Sequence, residues 1–168
     1  MDPQQFDRLY GRYSSAVFSF AFHLTQNRQD AEELFQDTWL RVVRSFPEKL
    51  DMESAKTWLF TITANLFRDS LRRRKVRERS TSWQQAVSSS LPETEVERME
   101  RKETARAIWE AMGSLPDHHR LVLVLKELAG FTQEEISEML GMPIGSVKSS
   151  VFRAIRKMRD ILAPLFQR

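Results

Sequence analysis

Near the end of the chain, Ser146, Lys148, Ser149, Phe152, Arg153 and Arg156 fall within GMPIGSVKSSVFRAIRKM, Gly141 to Met158, at spacings that one helix would gather on its outer side. At 100° per residue, Val147, Val151, Ala154, Ile155 and Met158 make the apolar stripe opposite. Small serines let a backbone approach a surface closely, and the forked guanidinium of arginine reaches guanine edges or phosphates. This face therefore has the chemistry to read duplex DNA in the major groove. Phe152 lies on the polar side, where a large ring is costly unless it packs on a base or a protein partner. A solvated basic face is the plainer explanation of such a helix. The preceding stretch, FTQEEISEMLG, favours DNA. Thr132 and Glu135 form a capping box, Ile136, Met139 and Leu140 face inward, and Gly141 supplies the stop. A short helix, the tight turn GMPI and a basic helix make a helix-turn-helix arrangement.

A second set of residues suits exposed bases. Thr57, Thr61, Asn65, Arg68 and Arg72 share one helical stripe, with Arg73 beside it. Short hydrogen-bonding side chains that lead into arginines fit a surface holding unstacked bases at one end and phosphates at the other. The run RRRKVRER that follows exceeds what a helix C-terminus needs to balance its dipole.

Helical periodicity recurs along the chain and strand signals are nearly absent, so the expected fold is all-α. A first helix is read from Phe6, Tyr10, Tyr13, Val17, Phe20 and Leu24. Asn27 caps a second, with Ala31, Leu34, Phe35, Thr38, Val42 and Phe46 inward, ending at Pro47. After the polar loop PEKLDMES, a third helix starts near Ser54, with Trp58, Leu59, Ile62 and Leu66 as its core stripe and Phe60, Phe67 and Leu71 as a second row against the first helix. These make one small domain, residues 1–79. The serine-rich stretch STSWQQAVSSSLPETE reads as a flexible linker, residues 80–95. A second domain, 96–168, opens with a charged helix carrying Val96, Met99, Ile108, Trp109 and Met112. Asp117 is placed to cap the apolar HHRLVLVLKELAG, which ends at Gly130 and must be central to a small bundle.

Composition narrows the function classes. The 168 residues are 41% hydrophobic and 29% charged, a globular balance. Net charge is only +3, but positive residues gather in two places, around 68–79 and 143–168. There is no cysteine, hence no disulfide, thiolate metal site or thiol nucleophile; a reducing cytoplasm fits. The N-terminal residues lack the uninterrupted apolar run of a signal peptide, and no stretch approaches the roughly 18 apolar residues of a membrane span. His118 and His119 are adjacent and should diverge around a helix, and His23 has no partner at a ligand spacing. No nucleophile with its base, no paired catalytic carboxylates and no phosphate-binding glycine loop is present. The expectation is no catalysis, no metal and no cofactor.

The stretch LPDHHRLVLVLKELAGFTQEEISEMLGMPIGSVKSSVFRAIRKMRDIL resembles the promoter-reading C-terminal domain of extracytoplasmic-function sigma factors, small bacterial RNA polymerase specificity subunits. NRQDAEELFQDTWLRVVRSF and AKTWLFTITANLFRDSLRRRKVRER resemble the two central helices of that family's other domain. The resemblance spans nearly the whole chain in the family's order, with the linker in the right place.

It implies that the first domain binds core polymerase and opens the downstream promoter element, while the second reads the upstream element. Gln36 and Asp37, with Glu33 alongside, match positions that dock on the clamp helices of polymerase's largest subunit; the second domain would meet the flap of the second-largest. A solvated helix surface is the plainer account of Asp30, Glu33 and Asp37. In the family the loop before the third helix, here Glu48 to Ser54, holds a flipped base above the Thr57, Thr61 and Asn65 stripe. An anti-sigma protein that covers polymerase-binding surfaces is a further implied partner. The chain departs from the family's common VKSR with VKSS, so Ser150 replaces an arginine. Two other functions remain open: a helix-turn-helix regulator that acts without polymerase, and a nucleic-acid-processing enzyme, which would need acidic or metal-binding residues converging in space.

Overall fold

A computed structural model describes residues 2–47, 50–78 and 96–165; of residues 77–78 and 96–102 it describes the backbone alone. The chain divides into two compact units, Met1–Val87 and Ser88–Arg168. The span read as a linker, 80–95, lies outside the described residues. The described residues are mostly helical, with no strand among them.

The first unit is built from α1 (Pro3–Thr25), α2 (Arg28–Ser45) and α3 (Met52–Glu78). Asp2 and Pro3 start α1, and Gln26 ends it in the left-handed region at φ 56°, its N–H donating to the Phe22 carbonyl. Asn27 then caps α2 as expected: its side-chain oxygen accepts the Asp30 N–H at 3.0 Å. Leu9, Tyr13, Val17, Phe20 and Leu24 of α1 and Ala31, Leu34, Thr38, Trp39 and Val42 of α2 are buried in the core these two helices share with α3. Leu9, rather than Tyr10, is the inward residue of the first turns. Tyr10 is exposed in an aromatic row, its ring centroid 4.8 Å from that of Trp39.

α3 is turned differently from its expected stripe. Ala55, Leu59, Phe60, Thr63, Ala64 and Phe67 are buried, whereas Trp58, Ile62, Leu66 and Leu71 are only half-buried. The helix lies against both α1 and α2, so its buried arc is wide and centred near Thr63, about a quarter-turn from the Ile62 line. Phe60 and Phe67 do belong to the core, with Phe60 5.0 Å from Phe20 ring to ring. Thr63 lies 3.3 Å from Thr38 of α2, and each hydroxyl also donates to a carbonyl of its own helix. Two buried hydroxyls thus keep their hydrogen bonds in an apolar core.

The second unit contains α4 (Val96–Gly113), α5 (Asp117–Glu127), α6 (Gln133–Leu140), α7 (Ile144–Leu162) and a short 3-10 turn. Leu121 to Leu125 of α5 are all buried, as its composition demands. Asp117 does not cap α5. It is the first helical residue, after Pro116, and its carboxylate pairs with the buried Arg120 at 2.5 Å. Gly130 (φ 78°) follows the end of α5 and lets Phe131 N–H reach the Leu125 carbonyl.

Candidate nucleic-acid interface

The helix-turn-helix is assembled by the bonds its sequence promises. Thr132 Oγ1 accepts the Glu135 N–H at 3.1 Å and Glu135 Oε2 accepts the Thr132 N–H at 2.7 Å, closing the capping box of α6. Gly141, at φ 60°, ends α6. Ser137 Oγ donates to the Met142 carbonyl at 2.6 Å, which pins the turn. Pro143 opens α7, and its carbonyl accepts from Ser146 and Val147.

Val147, Val151 and Ala154 seat α7 in its unit. Ile155, expected on that stripe, is exposed, and Ser150 is buried instead at 5% exposure. The buried arc is rotated toward Ser150 because α4, α5 and α6 all pack on that side. Ile155, at the stripe's edge, is left outside. An arginine at position 150 would therefore start from the packed side of α7, not from its outer face. That outer face carries Lys148, Ser149, Phe152, Arg153 and Arg156, all exposed, with Ser146 half-buried at its start. Phe152 is 66% exposed. With Ile155, Arg156, Arg159 and Asp160 it lines a shallow surface groove. Ser149 Oγ donates back to the Ser146 carbonyl, and the Arg153 guanidinium hydrogen-bonds to no other described residue.

The histidines do not diverge as expected. His118 and His119, in the first turn of α5, hold their ring centroids 4.0 Å apart. Burial, and then the charges of His118, Arg153 and Lys157, push His119 below the ordinary histidine value of 6.5. His119 thus feels two charges of α7. Sequence reading missed the pair because adjacent residues point about 100° apart on a regular helix, and the first-turn rings lean together instead.

In the first unit, the α3 stripe faces away from the buried arc. Asn65 and Arg72 are exposed, as is Arg73, while Thr57, Thr61 and Arg68 are half-buried. Thr61 donates its hydroxyl to the Thr57 carbonyl at 2.7 Å and keeps only acceptor capacity. Asn65 retains its whole amide, with no hydrogen-bond partner among the described residues. Arg72 is paired with Asp69 one turn back. The start of α3 is held from three directions. Tyr13 donates to the Met52 carbonyl at 3.3 Å, Phe46 meets Trp58 edge-on at 5.7 Å, and Asp51 Oδ1 accepts the Ser54 N–H at 2.6 Å. Those Ser54 bonds hold the Asp51 carboxyl below its usual 3.8. Of the loop before α3, Glu48 and Lys49 lie outside the described residues.

On α2, Glu33 and Gln36 are exposed and Asp37 is half-buried. Two residues not anticipated continue the same outward side: Leu40 at 53% and Val43 at 54% exposure. Their positions four and seven residues after Gln36 were the available signal. Among the described residues no group of three or more His, Asp or Glu could hold a metal ion, and no helix is long and apolar enough to cross a membrane.

Comparison with known proteins bears on both units. The family model of sigma-70 region 2 matches residues 9–77 and that of sigma-70 region 4 matches residues 105–158. The ECF RNA polymerase sigma factor EcfG of Rhodopseudomonas palustris is 32% identical over 146 residues, covering 86% of this chain and 77% of that one. The chain belongs to the extracytoplasmic-function RNA polymerase sigma factors. A second relative, the ECF sigma factor SigE of Mycolicibacterium smegmatis, is 33% identical over 159 residues, 94% of this sigma factor but only 61% of the relative's own length. Among solved structures, the sigma factor RpoE of Bartonella quintana, crystallised with the anti-sigma factor NepR, shares the fold: TM-score 0.75 at 24% identity, covering 95% of this chain and 98% of that one. These relatives do not favour a helix-turn-helix regulator independent of polymerase.

Proposed function

We propose that this sigma factor binds core RNA polymerase, directs it to specific promoters and opens them there, with the first unit engaging polymerase and the downstream element and the second reading the upstream element. Gln36 and Asp37, with Glu33, Leu40 and Val43 on the same side of α2, form the surface for the clamp helices of the largest subunit; the second unit meets the flap of the second-largest. On α3, Thr57, Thr61 and Asn65 hold unstacked bases, and Arg68, Arg72 and Arg73 hold phosphates. Ser146, Lys148, Ser149, Phe152, Arg153 and Arg156 enter the major groove of the upstream element. An anti-sigma protein covers the α2 surface when the factor is off, a reading supported by the partner with which the Bartonella quintana RpoE was crystallised.

The observation that carries the reading is the outer row of α7. It presents small, aromatic and guanidinium side chains to solvent on a helix whose other side is buried through Val147, Val151 and Ala154 and whose start follows the capped α6 and its turn. The test is transcription in vitro with core polymerase from the native host and fragmented genomic DNA as template. New start sites preceded by two shared sequence elements are expected. Duplex binding without any association with core polymerase would return the chain to the regulator reading, and metal-dependent cleavage of the template to the enzyme reading.

A further inference from the structure

We propose that His118 and His119, together with Lys157 and beside Arg153, form a second, sequence-independent DNA contact that takes one backbone phosphate at the flank of the upstream element. The proposal rests on the reading of α7 as the duplex-reading helix. Four protonatable or cationic groups from two elements meet here. The histidine rings lie 4.0 Å apart, centroid to centroid and tilted by 55°, on the first turn of α5, and from α7, which packs on α5, the charges acting on His119 are Arg153 and Lys157. Lys157 is held in place by donating to the Ser114 carbonyl at 2.6 Å, at the end of α4. Asp117, the acid of the first turn of α5, is engaged by Arg120. α6 also packs on α5, but its Glu134, Glu135 and Glu138 are not among the charges that act on His119, and Glu135 is engaged in its own cap.

Each cation in such a group raises the cost of charging the next, and an anion relieves all of them together. The rings supply N–H donors at the end of α5 where the helix dipole favours negative charge. The ligand must lie beside Arg153, which the proposed function places against DNA, so a backbone phosphate is the anion in reach. Nothing in the arrangement distinguishes one base from another.

The sign of the pH dependence follows. His119 in the free protein titrates below 6.5, and a phosphate stabilises its charged form, so the bound value is higher. Binding then takes up protons. Affinity rises as pH falls through the bound value and levels off below the free value. Each unit of separation between the two is worth up to about tenfold in affinity.

The experiment uses the full chain and the duplex it selects from a randomised library. Anisotropy titrations at about pH 8 and about pH 6 bracket the histidine range. Wild type should bind several-fold tighter at the lower pH, and the gain should vanish in His118→Gln plus His119→Gln while base preference stays unchanged. Ring resonances followed by NMR should show His119 titrating higher with duplex present. This second measurement uses wild type and stands if the double variant folds poorly. An undiminished pH gain in a folded double variant, or a His119 value indifferent to duplex, overturns the proposal. A change of base preference in the variant overturns the phosphate assignment. If Arg153→Ala weakens binding and the histidine variant does not, this proposal alone falls; if no duplex is selected at all, the reading of α7 fails and the proposal with it.

Discussion

Replacing Arg153 with alanine is the most direct test of how this sigma factor reads duplex DNA. The side chain is exposed, seats nothing in the core and hydrogen-bonds to no other described residue. The fold should therefore lose no more than about 0.5 kcal/mol, the scale of a surface change. A bidentate contact to a guanine edge is worth about 1–3 kcal/mol of discrimination. At about 1.4 kcal/mol per decade, that is a loss of between about 5-fold and about 140-fold on the preferred duplex and little change on duplexes altered at the contacted position. Arg153→Lys keeps the charge but not the fork, so it should retain general affinity while losing the preference. The variant also carries an internal signal: Arg153 is one of the charges that hold His119 down, and its removal should let the His119 pKa rise toward 6.5. The assay is competitive binding across a library of single-position variants of the selected duplex. A uniform loss over every sequence would make Arg153 a phosphate contact, and an unchanged affinity would remove α7 from the major groove altogether.

Gln36→Ala with Asp37→Ala should weaken capture of core polymerase while leaving helical content and thermal stability unchanged, because neither side chain is buried; unaltered affinity in a pull-down titration refutes the docking surface. Asn65→Ala should impair melting of the downstream element, read by permanganate footprinting, yet spare core binding and upstream binding, and normal melting would make the α3 stripe structural. Thr132→Ala removes one half of the capping box and should cost the second unit about 1 kcal/mol, about 4–8 °C in the midpoint of its transition; an unmoved midpoint would show that the cap is redundant. Asp51 has a folded pKa below its unfolded 3.8, so what it contributes to stability is fully present above 3.8 and is lost as pH falls through the folded value; Ser54→Ala, read by carboxyl NMR titration, should return the Asp51 pKa toward 3.8.

Where a cap or stop residue carried the signal, the sequence was a good guide except at Asp117, which the neighbouring Pro116 displaces from the cap into the first turn of α5. The Asn27 cap, the Thr132 and Glu135 box and the Gly141 stop each depend on local stereochemistry that no distant contact overrides, and each stands where the spacing put it. Which side of a helix faces inward depends on how many neighbours it has, and a one-dimensional stripe does not carry that number. α3 lies against two helices, so its buried arc widened to include Thr63 and Phe60 and left Trp58 and Ile62 at the margin. The same effect moved Ser150 inward and Ile155 outward on α7. The outward stripes were legible for the converse reason: Asn65, Arg72, Arg153 and Arg156 are exposed, far enough from any packed edge that a quarter-turn error does not bury them.

The histidine pair was hidden for a further reason. Its significance lies between α5 and α7, thirty-four residues from His119 to Arg153, and no periodicity within one helix reports an electrostatic influence between two. If α7 reads the duplex and the histidines take a phosphate as proposed, the charge of Arg153 and the pH-dependent charge of His119 act on the bound DNA together, because each acts on the other in the free protein.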